Sequence, residues 1–175
     1  MIGDVATDAK SFDGIRKLTS VGQTVDQATN GAAITLPKLD ELIDKIRPGK
    51  PDLLLMSRRT RRGLKQARRS AGPTLEVNVS QFGQTFETYD GIPCVVDDFM
   101  PDNEVQGSSG AVCSSVYALK FGMSTGLMGL QHGGIAIETV GELETKDATR
   151  HRIKWYTGLA LMSELGVARL RGITG

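Results

Sequence analysis

Two cysteines, two histidines and one tryptophan are all that 175 residues offer of these three types. Cys94 and Cys113 lie too far apart for a Cys-x-x-Cys motif, and with His132 and His151 they build no zinc-ligand spacing. Each reads as a buried, reduced thiol. No apolar run approaches the ~20 residues of a membrane-spanning helix. The first residues, Met1–Asp8, carry acid where a signal peptide would carry positive charge, and they contain no apolar core. Charge of one sign is also lacking: 21 basic against 20 acidic residues leave a net +1, with no bulk drive toward nucleic acid or an anionic membrane. These absences predict a soluble chain made inside the cell, with 39% apolar residues, enough for a modest core.

The motifs of catalysis are missing as well. His132 precedes Gly133-Gly134, yet no Gly-x-Ser-x-Gly turn exists to supply a nucleophile. The glycine-rich stretch from Gly122 to Gly134 contains neither Gly-x-Gly-x-x-Gly nor a Gly-Lys-Ser/Thr phosphate loop. Asp97, Asp98 and Asp102 gather around Pro101 without calcium-loop spacing. The expectation is a protein that is not an enzyme, with no catalytic residue, cofactor, metal or small-molecule substrate.

What is present is a succession of short elements. The segment through Gly31 reads as loop with at most a turn of helix. Leu36, Leu39, Leu42, Ile43 and Ile46 recur at helical spacing, with Thr35 placed to cap, Pro37 in the first turn and Pro48-Gly49 as a stop. Leu53–Met56 reads as a buried strand. A second helix is predicted from a Ser57 cap to about Ala71, its narrow buried stripe made by Leu64, Ala67 and Ala71. Strands are predicted near Leu75–Val79, Thr85–Tyr89 and Ile92–Val96, the last two joined by the turn dipeptide Asp90-Gly91. Pro93 places the start of the third at an edge or turn. Asp97 to Gly110 reads as a polar surface loop, Ser115–Phe121 as strand, Gly122–Gly134 as irregular, Ile135–Val140 as strand, and Glu142–Ala148 as a charged connection.

Two features stand out. Arg150–Leu161 is about twice the usual strand length of roughly 5–6 residues. Ile153, Trp155, Thr157, Leu159 and Leu161 alternate with Arg150, Arg152, Lys154 and Tyr156, a half-buried pattern whose apolar stripe needs a partner. The helix over 58–71 carries Arg58, Arg59, Arg61, Arg62, Lys65, Arg68 and Arg69 with no acid among them. That face is a solvated surface, an intersubunit salt-bridge surface or a nucleic-acid contact. Neither interleaved aromatics nor a binding motif supports the last. Helix, strand, helix and then many strands predict an α+β fold, a mixed sheet flanked by two helices with a long antiparallel β extension. The division drawn here is a core at residues 1–134 and extension strands at 135–175.

Taken in order, these segments resemble the carboxy-terminal half of a tailed-phage major capsid protein, whose fold is shared with encapsulins. Phe12-Asp13-Gly14-Ile15 resembles the turn where the chain enters the axial domain, and Pro51–Thr60 the central strand and following helix. Phe86–Val96 and Ser115–Gly122 resemble the family's next strands, and Gly141–Leu170 its long peripheral-domain strands. Segments matching the amino-terminal arm, extended loop and spine helix are not found, so the chain reads as a fragment or a short relative. The resemblance implies a truncated phage-capsid fold and a structural subunit, made in the bacterial host cytoplasm, whose copies form pentamers and hexamers of a virion shell around DNA. It assigns no catalytic residue and no crosslinking pair. Subunit-interface candidates are the seven cations of the basic helix together with Ile153, Trp155 and Leu159. Two rival readings are a nucleic-acid-binding module using helix 58–69 and a small hydrolase built on His132.

Overall fold

The computed structural model describes residues 3–72, 77–79 and 85–175. In chain order the elements are α1 (Ile15–Leu18), β1 (Thr24–Asp26), β2 (Ala32–Ala33), α2 (Leu36–Asp44), β3 (Leu53–Met56), α3 (Arg58–Ala71), β4 (Val77–Val79), β5 (Thr85–Tyr89) and β6 (Ile92–Val96). Then come β7 (Glu104–Gln106), β8 (Ala111–Leu119), β9 (Leu127–Leu143), β10 (Lys146–Leu161) and β11 (Val167–Thr174). Of the strand expected at Leu75–Val79, Leu75 and Glu76 lie outside the described residues.

Among the described residues nine strands form one mixed sheet in the order β1-β11-β8-β3-β6-β5-β4, with β2 beside β11 and β7 beside β8. β3 is parallel to β6 and antiparallel to β8, which buries it in the sheet and explains its uninterrupted apolar run. Its residues alternate between two cores. Leu54 and Met56 join Leu39, Leu42 and Ile43 of α2, Leu64 of α3, and Val116, Ala118 and Leu170 on one face. Leu53 and Leu55 pack with Tyr117, Leu119 and Val167 on the other, together with Ile15 and Leu18 of α1. Fully burying a side chain such as Leu54 contributes about 2 kcal/mol.

Local expectations hold at several points. Ser57 Oγ accepts from the Thr60 amide at 3.2 Å and starts α3. Asp90 and Gly91, with φ of 52° and 75°, form the turn between β5 and β6. Pro93 sits beside that turn, and β3 begins to pair with β6 only at Cys94, so no ladder bond is lost. Cys94 and Cys113 are free and buried.

Other segments differ. The opening region contributes β1 and β2, both parallel to β11, too short for any alternation to register in sequence. Thr35 occupies the position before α2, but its side chain makes no cap; its hydroxyl accepts instead from Gln27 Nε2 at 3.0 Å. The loop expected over 97–110 contains β7, which pairs with an early start of β8.

The boundary at residue 134 does not follow the strands. The extension is a β9–β10 hairpin that begins at Leu127, and β11 returns to lie between β1 and β8. There Ala168 and Leu170 enter the main core, and apolar alternation carries them inward. Arg169, on the opposite side, donates to Glu104 at 2.8 Å and to Ser115 Oγ at 3.1 Å, tying β11 to β7 and β8.

Candidate assembly surface

α3 is held to the sheet by Thr60, Leu64 and Arg68. The stripe is rotated from the expected Leu64, Ala67 and Ala71, because Thr60 finds a polar partner: its hydroxyl lies 2.6 Å from Ser114 Oγ of β8. Ala71 is exposed. Arg68 corrects the expectation of a wholly outward basic face. It is buried, donates to the Thr88 carbonyl at 2.6 Å, and lies 5.1 Å from the centre of the Tyr89 ring. Tyr89 in turn donates to Asp40 of α2 at 2.6 Å, and burial followed by that carboxylate pushes its phenol above the ordinary range.

Three further cations are met from outside the helix. Arg58 grips Asp98 through Nε and Nη2, the latter at 2.6 Å, in the two-pronged arrangement that suits a carboxylate. Lys65 pairs with Glu87, and Arg59 faces Asp102 at 3.8 Å, an ion pair without a hydrogen bond. Two of the three aspartates that might have suggested a cation loop, Asp98 and Asp102, are thus counter-charges to α3, while Asp97 accepts from the Phe99 amide at 2.9 Å. Among the described residues no group of His, Cys, Asp and Glu could hold a metal. Arg61, Arg62 and Arg69 have no ion pair to any described residue, and with Arg58, Lys65 and Gln66 they line a shallow groove.

The second surface is the hairpin. β10 runs antiparallel to β9 from Lys146 to Leu161, so the expected connection over 142–148 shrinks to a turn at Glu144-Thr145. The stretch expected to be irregular over 122–134 is turn and bend through Gly126 and strand from Leu127, where β9 absorbs Gly133 and Gly134 in a bulge. The register slips between Trp155 and Tyr156, opposite Gly133 and Gly134, whose φ of 67° and 72° suit glycine.

Directly opposite residues of antiparallel strands share a face. Ile153 lies opposite Ile137, and Trp155 opposite Ile135. These four side chains are 70%, 71%, 55% and 64% exposed, so the hairpin presents one open apolar patch. On the reverse face Lys154 bonds Glu138 at 2.6 Å, and that hydrogen bond lowers the Glu138 carboxyl below its ordinary range. Leu159 departs from the expected stripe: with Leu161 it packs into the second core at the hairpin base and is not part of the open patch.

Ile135 and Ile137 were not singled out from the sequence, although their own alternation carries the signal. Phe99, 93% exposed after Asp97-Asp98, carries none. His132 lies on the exposed hairpin opposite Tyr156, and His151 Nδ1 lies 3.3 Å from Thr139 Oγ1.

No family model matches this chain, and no curated protein matches it. Among solved structures, the cryo-EM structure of the holo-SrpI encapsulin complex from Synechococcus elongatus PCC 7942 is similar, with a TM-score of 0.75 and 22% identity. The match covers 93% of this chain and 57% of that one, so the chain spans a little over half the length of the encapsulin subunit. The shared feature is the fold: a mixed α+β sheet with few helices and a long antiparallel extension, as the sequence predicted.

Proposed function

We propose that this chain is a structural subunit of a self-assembling, capsid-type shell, without catalytic activity of its own. The observation that carries this reading is the β9–β10 hairpin on an encapsulin-like fold. A two-stranded ribbon is marginally stable in water. One bearing Ile135, Ile137, Ile153 and Trp155 outward exposes a patch that marks an interaction surface. Covering those four side chains would contribute several kcal/mol at roughly 25 cal/mol per Å².

The finer reading is a tailed-phage or prophage shell around DNA, supported by the ordered resemblance of residues 12–15, 51–60, 86–96, 115–122 and 141–170. A nucleic-acid-binding module on α3 is weaker, because Arg58, Arg59, Lys65 and Arg68 are already engaged within the chain. Negative-stain microscopy of the purified protein tests the shell: closed particles are expected, and monomers alone would overturn it. Nuclease-protected nucleic acid inside those particles is the expected mark of the phage reading; particles holding none would remove it and leave the shell.

A further inference from the structure

Many charges on this molecule are met locally: Asp26 by Arg171, Asp4 and Asp13 by Lys17, Asp90 by Lys50, Asp98 by Arg58 and Glu138 by Lys154. Two groups of charges without an ion pair among the described residues are each concentrated on one element. On α3, Arg61 and Arg69 flank Lys65 at i,i+4 spacing with Arg62 beside them, and like charges at that spacing repel. At the hairpin turn, Glu142, Glu144 and Asp147 are all exposed within six residues, offset only by Lys146 and the flanking Arg150. None of these three carboxylates has an ion pair among the described residues.

We infer that the hairpin tip of one copy docks on the α3 face of the next, Glu142, Glu144 and Asp147 meeting Arg61, Arg62 and Arg69. This rests on the shell reading and names the partner surface within it. The dimensions agree. Three cations over residues 61–69 span about 12 Å of helix at 1.5 Å per residue. A two-stranded tip is about 5 Å wide between strands, a little under half of that length, and the carboxylate side chains reach outward on either side of it. Reach agrees too, since a strand of 16 residues projects up to about 50 Å from the sheet. The contact is heterologous, a tip to a helix, so it propagates from copy to copy and closes into a ring or shell when the rotation allows. Arginine suits the role because its planar fork binds carboxylates in pairs.

The test uses two triple variants of the full chain. The helix variant carries Arg61→Glu, Arg62→Glu and Arg69→Glu; the tip variant carries Glu142→Lys, Glu144→Lys and Asp147→Lys. Each has like charges on both surfaces, and sedimentation velocity should show self-association weakened at least roughly ten-fold, since opposed like charges penalise a wrong pairing. Mixed one to one, the variants are complementary again, and association should return to the parent's concentration range. Circular dichroism checks that each is folded. Glutamine at the three arginine positions, which leaves the helix intact, should weaken association in the same direction. Folded variants that associate like the parent, or a mixture that stays dissociated, overturn the contact. Association that nuclease treatment abolishes would show a nucleic acid bridging the helices and would overturn it as well. Small open oligomers that respond to the charge swap but never close would keep the contact and sink the shell.

Discussion

Arg68 and Arg62 sit six residues apart on one helix and are predicted to behave oppositely. Arg68 is buried against the Thr88 carbonyl and the Tyr89 ring, so Arg68→Ala removes packing and a charged hydrogen bond. The cost should be about 2–3 kcal/mol by urea unfolding. Arg62→Gln, on the open face, should stay within about 0.5 kcal/mol. Equal losses for the two would contradict the burial difference. Cys94 supplies a second residue-scale prediction. Burial pushes its thiol up to about 11 from an unfolded value of 9.0, so the folded state keeps a proton that the unfolded state releases. Stability from this group is complete below pH 9 and is lost as pH rises toward 11. Native Cys94 should resist alkylation at pH 8 at a rate set by unfolding; prompt labelling in the folded protein would contradict it.

At the scale of elements, the hairpin and α3 carry the account. Ile153→Ser with Trp155→Ser should leave the melting temperature nearly unchanged, because both side chains are mostly exposed, yet weaken self-association at least roughly ten-fold, the loss of more than 1.4 kcal/mol. Leu159→Ala should do the reverse, lowering stability by up to about 2–5 kcal/mol through the core at the hairpin base. Thermal unfolding and sedimentation on the same samples separate these effects. Both helices, the Ser57 cap, the Asp90-Gly91 turn and β10 were legible in the sequence because each rests on local chemistry: periodicity, capping and turn residues. Of β9 only Ile135–Val140 was legible; glycines at 129, 133, 134 and 141 hide the alternation of the rest, which pairing with β10 reveals as strand. β1 and β2 are two or three residues long and exist because β11 lies beside them. The inward turn of Arg68 was hidden for a similar reason: its acceptor, the Thr88 carbonyl, is backbone on a different element.

For the whole molecule, the centre of the sheet carries a core on each face, whereas the hairpin among the described residues has covered only its base. A chain that keeps a self-sufficient body and extends an apolar ribbon is suited to covering a neighbour or being covered by one. Trp155 is the single tryptophan and stands in the open patch, so its emission reports that covering directly. The most direct measurement is the Trp155 emission maximum through a dilution series in which sedimentation follows dissociation. The account predicts blue-shifted emission in the assembled state and a red shift as copies separate. Emission that stays constant through a proven dissociation would contradict burial of the hairpin face by another copy.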